Sequence, residues 1–201
     1  EQMRLTSTGL GIGTSSPSAK LSVAAAKAVV TVTSTTGTNG TYTAYANTGG
    51  NFYVGMDSST GGDFAAAYAG AIWHGGAYPL IFGTSNTERM RLDSSGNLGL
   101  GVTPSAWYSG AKALQIGASS LIDAGTGNAV RVAHNTYFNS SGVATYIGST
   151  YASQYLQNSG AHSWYTAPSG TAGNSISFTQ AMTLDASGNL LVGTTNVPTT
   201  S

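Results

Sequence analysis

Three stretches of the chain share one alternation of apolar and polar positions. In Glu88-Arg89-Met90-Arg91-Leu92, Met90 and Leu92 alternate with arginines, the period of a strand with one buried face. Asp93-Ser94-Ser95-Gly96-Asn97 follows and carries turn chemistry, because Asp and Ser bond nearby backbone and Gly or Asn accepts positive φ. Leu98, Leu100 and Val102 then alternate with Gly99 and Gly101. The pattern predicts a β-hairpin with one apolar face, and a glycine face on its second strand that lets another backbone come close. A first copy runs through Met3-Arg4-Leu5-Thr6-Ser7-Thr8-Gly9-Leu10-Gly11-Ile12, with Pro17 beyond. A last copy runs through Met182-Thr183-Leu184-Asp185-Ala186-Ser187-Gly188-Asn189-Leu190-Leu191-Val192, with Pro198 beyond.

Met3, Met90 and Met182 lie 87 (90 − 3) and 92 (182 − 90) residues apart. A solenoid unit is about 20–50 residues, so the spacing predicts larger modules punctuated by a short recurrent hairpin. The segments are 1–17 (hairpin), 18–87 (first β module), 88–104 (hairpin), 105–179 (second β module) and 180–201 (hairpin and end). Lys20–Val23 starts the first module, where strands are expected at Val29–Thr33, Tyr42–Asn47, Phe52–Met56, Ala65–Ala69, Ala71–His74 and Leu80–Phe82, with Gly- and Asn-rich turns between them. Ala24–Ala28 could form a helical turn, as could Pro104–Tyr108. The second module is expected to repeat the first. Tyr146-Ile147-Gly148 would match Tyr53-Val54-Gly55, and Trp164-Tyr165 would match Trp73-His74, at similar distances from the next hairpin methionine.

A lone hairpin is marginal in water, so each copy must lie against other strands of its own chain or another. The copies keep the apolar positions and the turn but vary the charges, Arg91 being matched by Arg4 and Thr183. That favours a scaffolding role. The proline after each copy should end pairing and redirect the chain.

The pattern from Glu88-Arg89-Met90-Arg91-Leu92 through Gly96-Asn97-Leu98-Gly99-Leu100-Gly101 to Pro104 resembles the recurrent stalk motif of tailed-bacteriophage tail-fibre proteins. Ala144–Gly148, Ala167–Gly173 and Met182–Thr195 are similar to a segment of such fibres that often lies just ahead of a self-cleaving intramolecular chaperone domain. The resemblance covers most of the chain. It implies an all-β, elongated and intertwined homotrimer, with small antiparallel modules separated by the hairpins. Its trimer core would be Met3, Leu5, Met90, Leu92, Leu98, Leu100, Met182, Leu184, Leu190 and Val192. It implies a structural or adhesive part of the virion tail, not an enzyme, and no cofactor. Its partners would be other tail or fibre proteins and a host surface glycan or outer-membrane receptor. A bacterial trimeric adhesin would share most of these features. Glu1 opens in mid-motif, which predicts a longer parent chain.

Charge changes the picture in one respect. Seven basic and seven acidic side chains make only 7% of 201 residues, against about 25% in an ordinary domain. No basic patch is available for nucleic acid. With 40% hydrophobic residues the chain is not of the disordered type. Strands with so little charge are poorly protected against edge-to-edge pairing, and oligomerisation is a natural remedy. Cysteine is absent, so there is no disulfide framework or thiolate metal site. No apolar run approaches the roughly 18 residues of a membrane span.

Candidate chemistry is sparse. His74, His134 and His162 are scattered without metal-site spacing, so no metal is expected within one chain. Asp57 and Asp63 flank one loop and are the pair a glycan depolymerase would need, although loop Asp residues are more often turn formers. There is no phosphate loop and no nucleophile elbow. Three Trp and eleven Tyr are many for so polar a chain. They are read first as core and interface anchors. Tyr151, Tyr155, Asn158 and Tyr165 are the candidates for a glycan-binding surface.

Overall fold

The computed structural model describes residues 2–23, 30–123 and 129–193, with Asp123 by its backbone alone. The described residues are all-β, with eighteen strands and no helix. They fall into two compact units, Glu1–Gly75 and Gly76–Ser201.

In the first unit β1 (Met3–Leu5) and β2 (Leu10–Ile12) form the first hairpin, with Met3 opposite Ile12 and Leu5 opposite Leu10. The chain then returns, and β3 (Leu21–Val23) pairs with β2 in parallel. A second, antiparallel sheet contains β4 (Thr41–Asn47), β5 (Gly50–Met56) and β6 (Gly70–His74). Tyr42, Tyr53 and Trp73 gather around the buried Phe64, with ring centroids 5.4, 5.9 and 6.2 Å from it.

The second unit is built on one open sheet of ten strands. It starts at β7 (Leu80–Thr84), β8 (Thr87–Leu92) and β9 (Leu98–Leu100). Then follow β10 (Lys112–Ile116), β11 (Ser119–Asp123) and β12 (Ala129–His134). The two-stranded ribbon β13 (Thr136–Phe138) and β14 (Ala144–Tyr146) lies outside this sheet. The sheet resumes with β15 (Ala152–Asn158), β16 (Ala161–Ala167), β17 (Thr179–Leu184) and β18 (Leu190–Val192). All its pairings are antiparallel except β9 with β10, and β7 and β18 are its outermost strands among the described residues.

The three expected hairpins form in one register. Met3, Met90 and Met182 face Ile12, Leu100 and Val192, while Leu5, Leu92 and Leu184 face Leu10, Leu98 and Leu190. The turns work as the residue types predict. Asp93 Oδ1 accepts from the backbone N–H groups of Ser95 (2.9 Å) and Asn97 (2.8 Å), and Asp185 does the same with Ser187 and Asn189. In the shorter first turn Thr6 Oγ1 accepts from Thr8 and Gly9. The glycine face is also used as expected. A Cβ on Gly99 would collide with the Val102 carbonyl and lie 2.8 Å from Pro104 Cδ, because the chain folds back over the hairpin before entering β10.

Several expectations need correction. Val30–Thr33 is not a strand, and Val29 and the expected helical turn at 24–28 lie outside the described residues. Ala65–Ala69 is a loop in which Ala65 (φ 84°) and Tyr68 (φ 59°) turn the chain. Pro104–Tyr108 is irregular rather than helical, with Trp107 buried. The match of Tyr146 to Tyr53 fails. Tyr53 faces Trp73 across β5 and β6, and the residue facing Trp164 is Tyr155. The similar spacing to Met90 and Met182 was accidental: residues 57–69 join β5 to β6, where Ser159 and Gly160 alone join β15 to β16.

Candidate functional site

Cross-strand register places one residue from each strand of the large sheet in a single row. In strand order these are Leu80, Leu92, Leu98, Leu114, Leu121, Val132, Tyr155, Trp164, Met182 and Val192. Every member is aliphatic, thioether or aromatic. Phe82, Met90, Leu100 and Ile116 continue the same face in the neighbouring row. Among the described residues this face, called the bare face below, is open: Leu92, Ile116 (51%), Leu121, Val132 (55%) and Val192 are exposed, and Leu80, Leu98, Leu114, Tyr155, Trp164 and Met182 are half-buried. The strands there are inside out for a monomer. In β10 the polar Gln115 is 1% exposed while its neighbour Ile116 faces out, and Ser120 is buried beside exposed Leu121.

The opposite face explains the inversion. Trp107, Ala111, Ala113, Ile122 and Ala133 make a core there, joined by Tyr108, Tyr137 and Phe138. A second cluster joins Tyr146, Ala152 and Ala167 to Ile176 and Phe178. The irregular segments and the β13–β14 ribbon lie against small residues, and several buried polar groups have partners, while Trp107 Nε1, Arg131 Nε and Gln154 Oε1 have none among the described residues. Gln115 accepts from Ser105 N–H (2.9 Å) and donates to the Gly117 carbonyl (3.0 Å). Asn135, fully buried at φ 56°, donates Nδ2–H to the carbonyls of Gly148, Thr150 and Tyr151 and accepts from Gly148 N–H. Among the described residues both buried clusters of this unit lie on this face.

Of the residues expected to form a trimer core, Met90, Leu92, Leu98, Leu100, Met182, Leu184, Leu190 and Val192 all lie on the bare face. Met3 and Leu5 occupy the corresponding exposed face of the first hairpin, which Leu21 and Val23 extend. Leu114, Ile116, Leu121 and Val132 belong to the large face but were not singled out from sequence. Their signal was present, since the alternation in Leu114-Gln115-Ile116 continues that of Leu98-Gly99-Leu100.

The four glycan candidates do not form one surface. Tyr155 belongs to the bare face, tilted against Trp164 at 5.1 Å and hydrogen-bonded through its hydroxyl to His162 Nδ1. Tyr165 pairs with Gln154 on the other face and donates to Gln180 Oε1 (3.1 Å). Tyr151 precedes β15 and Asn158 ends it, and both are exposed.

Asp57 and Asp63 have different surroundings. Asp57 is 3% exposed. Its Oδ1 accepts from the backbone N–H groups of Ser58 (2.7 Å) and Asp63 (3.0 Å), and its Oδ2 from those of Phe64 (2.8 Å) and Ala66 (3.2 Å). Burial pushes this carboxyl up, but the Asp63, Phe64, Ala66 and Ser58 N–H groups outweigh it and hold the pKa below the ordinary aspartate value. A carboxylate so committed is a loop clamp, suited neither to general-acid work nor to attack on a sugar. Asp63 is exposed. Among the described residues no group of three or more His, Asp or Glu side chains could hold a metal ion, and no helix is long and apolar enough to cross a membrane.

The chain matches no family model and no curated protein.

Proposed function

We propose that this chain is a structural and adhesive segment of a phage tail fibre that assembles as an intertwined homotrimer and positions or forms a receptor-binding surface for host attachment. The observation that carries this reading is the uncharged row running across all ten strands of the large sheet, bare in the single chain. Adjacent strands are about 4.8 Å apart, so nine intervals of the full row span roughly 43 Å, and one row of side chains is about 7 Å deep. The second row is apolar over β7–β10 and polar at Ser119, His134, Ser153 and Thr166, so the apolar band is ~400 Å², half of the roughly 800 Å² that one partner contributes to a stable interface. An exposed patch of several hundred Å² is often a functional surface. A second copy of the same chain supplies a surface of matching chemistry, and the hairpin of the first unit repeats the motif. The number three comes from the resemblance to fibre stalks.

Mass in solution by light scattering tests the reading, beside heated and unheated SDS gels. The expected species is three times the 20.2 kDa chain, resistant to unheated SDS. A monodisperse 20.2 kDa species would contradict it.

A further inference from the structure

The first unit contains a feature that the assembly reading does not use. A polar groove of about 630 Å³ runs between the 32–42 segment and the 57–69 loop. Its volume lies within the roughly 300–1,000 Å³ typical of small-ligand sites. Both walls are fixed from within the unit. Ser59 N–H donates to the Gly37 carbonyl (2.8 Å), and Thr41 Oγ1 donates to the Val32 carbonyl (3.2 Å). The Asp57 clamp binds Asp63 N–H and so holds in place the one charged side chain among the described lining residues.

We propose that this groove binds a neutral sugar, with the Asp63 carboxylate as its principal acceptor. The inference rests on the adhesive half of the function proposed above and places the adhesive site in the first unit. Asp63 receives no hydrogen bond or ion pair at its carboxylate from any described residue. Two free carboxylate oxygens suit a pair of neighbouring sugar hydroxyls. Around it, Ser34, Thr38 and Thr41 each donate their hydroxyl proton within the protein and keep acceptor capacity. Asn39 donates Nδ2–H to Thr36 and leaves its carbonyl oxygen available.

Val32 and the partly exposed Tyr42 supply an apolar patch for the C–H face of a ring. Among the described residues no Lys, Arg or His lines the groove, so an acidic sugar would meet Asp63 with no compensating cation. An apolar ligand would leave the wall's polar groups without partners. Gly40 is part of the design, because a Cβ there would run into the Asp63 carboxylate and lie 2.9 Å from the Met56 carbonyl.

The test is saturation-transfer NMR and calorimetry on the full chain with maltotetraose, cellotetraose and chitotetraose, and with trigalacturonic acid as the acidic comparison. At least one neutral probe is expected to bind with a Kd at or below about 10 mM, weakened about tenfold or more in Asp63→Asn. Gly40→Val should abolish binding, and Tyr151→Ala should leave it unchanged. Failure of all three neutral probes, equal binding of the acidic probe, or full binding by Asp63→Asn would each overturn the proposal. Solution mass is measured separately, so a trimer that binds no sugar defeats the groove alone, and a monomer that binds sugar defeats the assembly reading alone.

Discussion

The 57–69 loop and the large sheet bury polar groups in opposite ways. In the loop, Asp57 turns inward and satisfies four backbone N–H groups, so one side chain ties together an irregular segment that backbone bonds such as Tyr68 N–H to the Ser58 carbonyl also hold. In the sheet the backbone satisfies itself strand by strand, and the side chains are free to define two faces. One face is closed by the chain's own Trp107, Tyr137 and Phe138, and the other is left apolar and open. A loop of this kind is complete within one chain. On the proposed reading, a second copy of the chain covers the open face of the sheet.

The substitution with the largest expected effect attacks that difference directly. Leu121→Asp places a charge on the bare face at a position already 46% exposed in one chain. The monomer fold should tolerate it. An assembly that buries this face would carry an unpaired charge at a cost of about 3–5 kcal/mol per chain, so the oligomer should dissociate while far-UV circular dichroism is retained.

Asn135→Ala probes the covered side. It strands the Gly148, Thr150 and Tyr151 carbonyls and puts Ala at φ 56°. A loss of about 3–4 kcal/mol is expected, seen as a lower denaturant midpoint for the Trp107 and Trp164 fluorescence transition.

Asp57→Asn probes the loop. A carboxyl whose folded pKa is depressed adds stability above its ordinary value of 3.8 and loses it as pH falls through the lower folded value. The amide shifts of Phe64 and Ala66 should therefore move in acid in the native chain. In the variant they should be displaced already at neutral pH and show no such acid transition. The smallest effect is expected from Asp93→Ala, about 1 kcal/mol from a lost turn acceptor. Asn97 should still bridge to β10 through Ala113 N–H, read by hydrogen exchange at that amide.

The same contrast explains what could be read from the residues. Met90, Leu92, Leu98 and Leu100 announce a hairpin because period two and turn chemistry are both local. The three copies reinforce one another. The return of the chain to pair β3 and β10 in parallel was not legible, since register across a crossover depends on packing between distant residues. The 57–69 loop was misread at Ala65–Ala69 for a related reason. Alanine and tyrosine are compatible with a strand, and the Asp57 carboxylate, with the Ser58 and Gly61 carbonyls, bends the segment away. The glycan candidates on β15 and β16 failed as a set because alternation sends Tyr155 and Tyr165 to opposite faces once their strands pair. Asn135 gave no signal at all, because a buried side-chain hub is defined by carbonyls that only the fold assembles.

The most direct test of the central claim is the solution mass of the native chain measured beside Leu121→Asp at the same concentration. The account predicts three times 20.2 kDa for the native chain and a single-chain mass for the variant. A native monomer, or a variant that stays trimeric, would contradict the assignment of the bare face to assembly.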